Sequence, residues 1–357
     1  MLPEKSNVKT ALYIVGYLFI IFSVIPLIRN DNWVFRVFEY PRFQKLIIVL
    51  GILVAFLLQF DSSQTHDVVL VSMLSLNVCY LSYLVFPYTF IARNQMKKAG
   101  RKVEANGISL LICNVFQDNR NVSALLSQIE KCNPDLVLLV EVDFYWDDQL
   151  KPLHKKYPHR LLNPLDNTYG MSLYSKLELK DQEVKYLIEQ DIPSIETLVK
   201  LRNGQYIKLF GLHPEPPVPN ENPRSTERDA EILLVAKRVE NLKMPVIVAG
   251  DLNDVAWSYT TELFLKVSGL LDPRRGRGFF NTFHAKYPML RWPLDHVFCS
   301  NHFCLTDLKR LPKMGSDHYP IFISLALSME RAAEQSHEKL NKTSADEQMA
   351  EEKIQKV

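Results

Sequence analysis

The chain has 357 residues, 47% of them apolar and 23% charged, an ordinary balance for a globular protein. Its formal net charge is only +2, so no overall field marks it as a nucleic-acid binder. The cysteines (Cys79, Cys113, Cys132, Cys299, Cys304) are odd in number and lack CxxC pairing or metal-ligand spacing. That argues against a disulfide framework and for buried free thiols.

The N-terminal part is far more apolar than the rest. Residues 10–28 carry no charge, and neither do 68–92, which have Pro87 near their end. Residues 46–60 are short, although Phe43 and a snorkelling Lys45 extend them. A membrane-spanning helix needs ~20 apolar residues. The first and third segments meet that length and the second is marginal. A cleaved signal peptide is disfavoured, because no small-residue cleavage site follows and two more apolar segments come close behind. The expectation is about three transmembrane helices within residues 1–92. A basic juxtamembrane linker, "RNQMKKAGRKVEANG", follows at 93–107.

From 108 to 328 strands and helices alternate. Strands are expected over 108–116, 135–143, 170–177, 206–214, 245–253, 293–300 and 318–327, and helices over 121–132, 225–242 and 258–269. Apolar runs this continuous imply strands buried on both faces of an α/β domain. The tail at 329–357 is rich in Glu, Lys, Ala and Gln with little apolar stripe, and reads as a solvated helix or a disordered segment.

Polar residues mark the strand ends. Asn114, Glu141 and His213 fall at the ends of their runs, Asp251 and Asn253 end another, Asp295 begins one, and Asp317 with His318 begins the last. One such residue is a strand cap. Together they suggest a shared site, since ligand sites gather at strand ends in α/β sheets. There is no P-loop, GxSxG, HExxH or GxGxxG, so the candidate chemistry rests on carboxylates, amides and histidines.

The ordered set "CNVF", "LLVEVD", "LFGLHPEPP", "VAGDLND", "PLDHVF" and "GSDHYP" resembles the endonuclease/exonuclease/phosphatase (DNase I-like) superfamily, and within it the bacterial membrane-tethered branch. The resemblance implies a four-layer α/β sandwich, two mixed sheets face to face with helices outside. It also implies a Mg²⁺-dependent hydrolase, with Mn²⁺ an alternative ion. Glu141 then corresponds to the acidic metal ligand, a role that suits hard Mg²⁺, and Asn114 and Asp317 complete or support it. Asp251 corresponds to the acid that handles the attacking water, and Asn253 to the amide on a phosphate oxygen. Asp295 and His318 match a buried acid–imidazole pair whose histidine is either the general base or a phosphate-binding cation, and His213 matches a second histidine that binds phosphate or protonates the leaving oxygen.

Other residues receive structural readings. His296 should point away from Asp295. Asp143, Asp254 and Asp272 read as turn or cap residues. "DPRRGRG" at 272–278 reads equally as a phosphate-contacting or a solvated loop, and Arg291 with Trp292 as pocket lining or packing. The expected function is a membrane-anchored hydrolase of phosphoester bonds, of nuclease or phosphodiesterase type. The alternatives are a lipid phosphodiesterase or phosphatase acting on head groups, and a non-catalytic membrane adaptor on the same fold. Nucleic acid, lipid and small phosphoesters all remain open as substrate, and no obligate protein partner is inferred. The expected location is a bacterial inner membrane. With three spans, Lys5 and Lys9 lie on one side; Arg29, Arg36, Arg42, Lys45, Arg93, Lys97, Lys98, Arg101 and Lys102 lie on the other, with the catalytic domain. The positive-inside rule makes that side cytoplasmic, while the tethered branch leaves an extracytoplasmic domain open.

Overall fold

The computed structural model describes residues 3–100 and 106–357; Arg101 and Lys102 of the basic linker lie outside them. The N-terminal section holds four helices: α1 (Pro3–Val24), the short α2 (Trp33–Arg36), α3 (Arg42–Leu57) and α4 (Thr65–Val85). The long helices α1, α3 and α4 pack around Val49, Phe56, Leu70, Leu74 and Leu81, while Ile14, Ile47 and Leu76 face outward. Two of them are long and apolar enough to cross a membrane, over Asn7–Ile28 and Thr65–Tyr88. The third expected span exists only if α2 with its following 3-10 turn is joined to α3 across a 68° bend. Pro41 stands at that bend as the N-cap of α3, where its missing N–H costs nothing.

The remaining elements build two sheets. In chain order they are β1 (Gly107–Asn114), α5 (Val122–Cys132), β2 (Leu136–Val140), α6 (Phe144–Gln149), β3 (His159–Asn163), β4 (Met171–Ser175), β5 (Leu179–Lys185), β6 (Ser194–Lys200), β7 (Tyr206–Leu212), α7 (Thr226–Glu240), β8 (Val246–Asp251), α8 (Tyr259–Ser268), β9 (Asp295–Cys299), β10 (Phe303–Arg310) and β11 (Ile321–Leu327). One sheet runs β10-β11-β1-β2-β4-β3 and the other β5-β6-β7-β8-β9. β1–β2 and β7–β8 are parallel and the other pairs antiparallel, so both sheets are mixed.

Side-chain alternation sets the layers. Leu110, Ile112, Leu138, Leu209, Ile247 and Ile323 meet between the sheets in one core. Leu111, Val137 and Leu139 turn the other way onto α5 and Trp146 of α6, and Phe210, Val248 and Phe298 turn outward onto α7 and α8. The result is the expected four-layer sandwich. Helix ends follow local chemistry: Asn121, Asp143 and Ser258 accept backbone N–H bonds as N-caps, and Gly269 closes α8 in the left-handed region at φ 65°.

The tail departs from expectation. It forms α9 (Met329–Gln335) and α10 (Ser344–Ile354), the latter started by a Thr343–Asp346 capping box. Ala350 is fully buried against α7 and α8, with Leu340, Met349 and Ile354 beside it. Lys353 Nζ reaches Asp229 on α7 at 2.8 Å and Asp31 at 3.0 Å. So few apolar residues suffice because buried charges do the rest of the docking.

Candidate active site

The site lies where β1, β2, β8 and β9 end. Asn114, the last residue of β1, donates from Nδ2 to Glu141 Oε1 at 2.7 Å and to Asp251 Oδ2 at 3.1 Å. Its Oδ1 accepts the Phe116 N–H at 2.9 Å. Glu141 also accepts from the Gln117 N–H at 3.1 Å. Asp251 accepts the Asn253 N–H at 3.0 Å, and the Asn253 amide donates to Pro214 O at 2.9 Å. On the far side, His318 Nδ1 meets Asp295 Oδ2 at 2.8 Å, and its Nε2 lies 3.5 Å from Asp251 Oδ2.

Four cavity-lining residues hold positive φ without being glycine: Phe116 (58°), Glu141 (60°), Thr168 (72°) and Asn253 (49°). Each such residue costs on the order of 1–3 kcal/mol, a strain tolerated where function fixes the backbone. Gly250, just before Asp251, is required for a different reason. A Cβ there would lie 1.9 Å from the Leu212 carbonyl oxygen. The close β7–β8 approach thus brings His213 and Asp251 to one end of the sheet.

Burial sets the charges. Desolvation pushes Glu141 up to about 7, against the hydrogen bonds from Asn114 and Gln117. Burial also lowers His213 to about 4, so its ring is neutral at pH 7. Desolvation would lower His318 too, but the Asp251 and Asp295 carboxylates prevail and raise it to about 10, so it is cationic. Burial raises Asp251, yet the two histidines and Asn114 outweigh it and hold it below the usual carboxylate range.

The residues named from the strand ends therefore converge. Asn114, Glu141, His213, Asn253, Asp317 and His318 line one cavity, and Asp251 and Asp295 stand behind them through hydrogen bonds. A cation fits this donor set. Asp317 Oδ1 is buried without a partner beside Glu141, as is Asp295 Oδ1 next to His318. A second grouping, Asp251, Asp295 and His318, has ligand atoms within 4.8 Å of one another. The Glu141–Asp317 side offers the oxygen donors that suit Mg²⁺ or Mn²⁺, whereas the Asp251–Asp295–His318 grouping includes an imidazole held cationic, which has no lone pair to give a metal.

Other positions resolve as structural. His296 does point away, to Asp254 O at 2.8 Å and Arg274 at 2.7 Å. Asp254 accepts from Ser258 and Thr261, and Asp272 binds Arg274 at 2.8 Å. The 272–278 loop touches Pro87 and Met96 and contributes nothing to the cavity wall. Trp292 lines the cavity, whereas Arg291 bonds Tyr319. Several contributors had no sequence signal. Ser316 Oγ ties Asn114 O to the His318 N–H, Thr282 Oγ1 accepts the Asp295 N–H, and Tyr169 lies against His213. Tyr40, from the N-terminal section, donates to Asn253 O at 2.9 Å.

The sequence model of the endonuclease/exonuclease/phosphatase family matches residues 111–318, the span that holds every one of these strand-end residues. The chain belongs to this family. Solved structures agree in fold. A humanised D. rerio TDP2 is 18% identical with a TM-score of 0.50, covering 62% of this chain and 99% of that one. An endonuclease/exonuclease/phosphatase protein from Beutenbergia cavernae is 14% identical with a TM-score of 0.51, over 62% and 72%. The human Nocturnin catalytic domain, solved with a bound sulfate anion, is 16% identical with a TM-score of 0.50, over 64% and 97%. Identities this low carry the fold alone. No curated protein matches the chain.

Proposed function

We propose that this endonuclease/exonuclease/phosphatase family member is a membrane-anchored, divalent-metal-dependent hydrolase of phosphoester bonds. The observation that carries the reading is the linked chain Glu141–Asn114–Asp251–His318–Asp295 at the cavity, hydrogen-bonded throughout except for the 3.5 Å ion-pair contact between Asp251 and His318. Glu141 and Asp317 would hold the ion, with Asn114 orienting Glu141. Bound there, Mg²⁺ or Mn²⁺ would draw charge from the phosphate oxygens.

The chain's own residues supply the rest. Asp251, ionised between Asn114 and His318, orients the attacking water and takes its proton. His318, kept cationic by two carboxylates, faces the negative charge that builds on the phosphate. The Asn253 amide has one N–H left for a phosphate oxygen after Pro214 takes the other. Neutral His213 offers a hydrogen bond toward the leaving oxygen.

Anchoring is supported by the two apolar helices of membrane-spanning length. The segment that follows α1, the N-terminus of α3 and the turn that follows α4 all contact the catalytic domain. Under the charge rule that end is cytoplasmic, although Arg36, Arg42 and Lys45 are buried in protein and add little to it. The test is hydrolysis of bis-p-nitrophenyl phosphate by the full chain with Mg²⁺, with and without EDTA. Metal-dependent turnover lost in Glu141→Gln is expected. Absence of turnover at any metal concentration overturns the reading in favour of a non-catalytic adaptor.

A further inference from the structure

The active-site cavity does not end at the polar residues. It encloses about 660 Å³, within the usual range for a small-molecule site, and extends from Glu141 and His318 to a wall built outside the family-matched region. That wall is the segment between α1 and α3, which contributes Trp33, Val37 and Tyr40. The opposite wall is Pro217 and Val218 of the 214–221 loop.

The N-terminal wall is held firmly. The Trp33 N–H donates to Pro223 O at 2.8 Å, and the Ser225 N–H to Asp31 O at 2.8 Å. Arg36, buried, donates to Asp229 at 2.8 Å and to Ser225 at 3.2 Å. Tyr40 then reaches the backbone of Asn253 inside the site.

The chemistry of the extension is apolar. Among the described residues, Arg36 is the only Lys or Arg that lines it, and carboxylates already occupy its guanidinium. A nucleic-acid strand needs cations along its phosphates. Exposed Lys286 stands over the Phe116 ring at 5.8 Å and exposed Arg224 bridges Asn32 beside the wall, but neither lines the cavity, whereas the acidic Glu221 does.

Position adds a second observation. Leu290, another lining residue, belongs to a loop whose Tyr287 and Met289 are 56% and 78% exposed. Gln44, in the first turn of α3, donates to Met289 O at 3.1 Å and holds this loop at the end of the helical bundle. Exposed apolar residues beside helices of spanning length fit the edge of a bilayer.

We propose that the 29–41 segment completes the substrate pocket, and that the pocket takes the apolar chain of a lipid-like phosphoester whose phosphate lies at Glu141 and His318. This rests on the phosphoester-hydrolase reading. Residues 29–41 then set specificity, and the same helices that anchor the chain bring the pocket mouth to its substrate.

The test uses the full chain in nanodiscs with Mg²⁺ and a series of alkyl 4-nitrophenyl phosphate diesters from methyl to octyl. Release of 4-nitrophenolate gives kcat/KM. The octyl ester should exceed the methyl ester by about tenfold or more, a modest share of what burying each methylene can yield. Chain-length dependence should fall to a few-fold in Val37→Glu and in Val218→Glu, whose nanodiscs concentrate the esters equally. Val37 is 46% exposed, so the charge is placed without burying it. As a measurement free of variants, octyl phosphate should inhibit methyl-ester hydrolysis at least about tenfold more strongly than methyl phosphate. A wild-type rate independent of chain length, equal inhibition by the two phosphates, or unchanged dependence in both folded variants overturns the pocket assignment. If the methyl ester is hydrolysed in those cases, the hydrolase reading stands. If no ester is hydrolysed, that reading falls and takes the pocket with it.

Discussion

Asp251 and Asp295 are direct cross-strand partners on β8 and β9, and the His318 imidazole lies between their carboxylates. Like charges opposite one another destabilise a ladder unless a cation separates them. His318 is that cation, delivered from the segment just before β11, after Gly315 has turned the chain at φ 104°.

Asp295→Asn removes one of the two charges that raise His318. The pKa of His318 should drop from about 10, so the ring loses its proton at lower pH. Turnover at pH 7 should fall by roughly 10²-fold, and the alkaline limb of the pH–rate profile should move toward neutrality. An unmoved limb would show that His318 charge plays no part.

Glu141→Gln keeps the size of the side chain and the Asn114 contact but removes the carboxylate. Turnover should collapse, and raising Mg²⁺ should restore part of it, because hard cations bind carboxylate far better than amide. Full activity at low Mg²⁺ would exclude Glu141 as a ligand.

Glu231 is buried on α7 and accepts from Ser194 Oγ at 2.5 Å. Burial raises it from an ordinary 4.5 to about 7. The folded state therefore holds a proton that the unfolded chain releases. The stability from this group is full below pH 4.5 and is lost as pH rises to 7, by roughly 3 kcal/mol at most. Glu231→Gln should raise the melting temperature at pH 8 and leave it nearly unchanged at pH 4. Equal shifts at both pH values would contradict this.

Lys353→Ala leaves Asp229 with Arg36 and Arg228 but strips the charge that seats α10. The loss should be near or below the low end of the roughly 3–5 kcal/mol seen for broken buried pairs, since two partners remain. Chemical denaturation measures it. A loss under about 0.5 kcal/mol would mark the pair as a surface contact in solution.

Gly250→Ala should fail to fold or lose several kcal/mol, on the order of a large core defect, because its Cβ would overlap Leu212 O. A melting temperature close to wild type would show that β7 and β8 can separate.

Much of the site was legible in the sequence because its chemistry is local. Asn114, Glu141, Asp251 and His318 each follow an apolar run or a turn, and strands that end together bring such residues together. The buried central strands β1, β2, β7, β8 and β11 read clearly for the same reason. β3, β5, β6 and β10 did not: three are edge strands that mix apolar with charged residues, as in "LKDQEVK", and the interior β6, "SIETLVK", has its apolar run broken by Glu196. Sequence also supplied the apolar helices, but not the bend that leaves α3 short. Only the tertiary structure decided what the 29–41 segment and the tail do. Arg36 meets Asp229 across 193 residues, and Lys353 joins the same carboxylate from 124 residues away. No local pattern encodes such pairings, because a buried charge announces its partner only once the chain has folded around both.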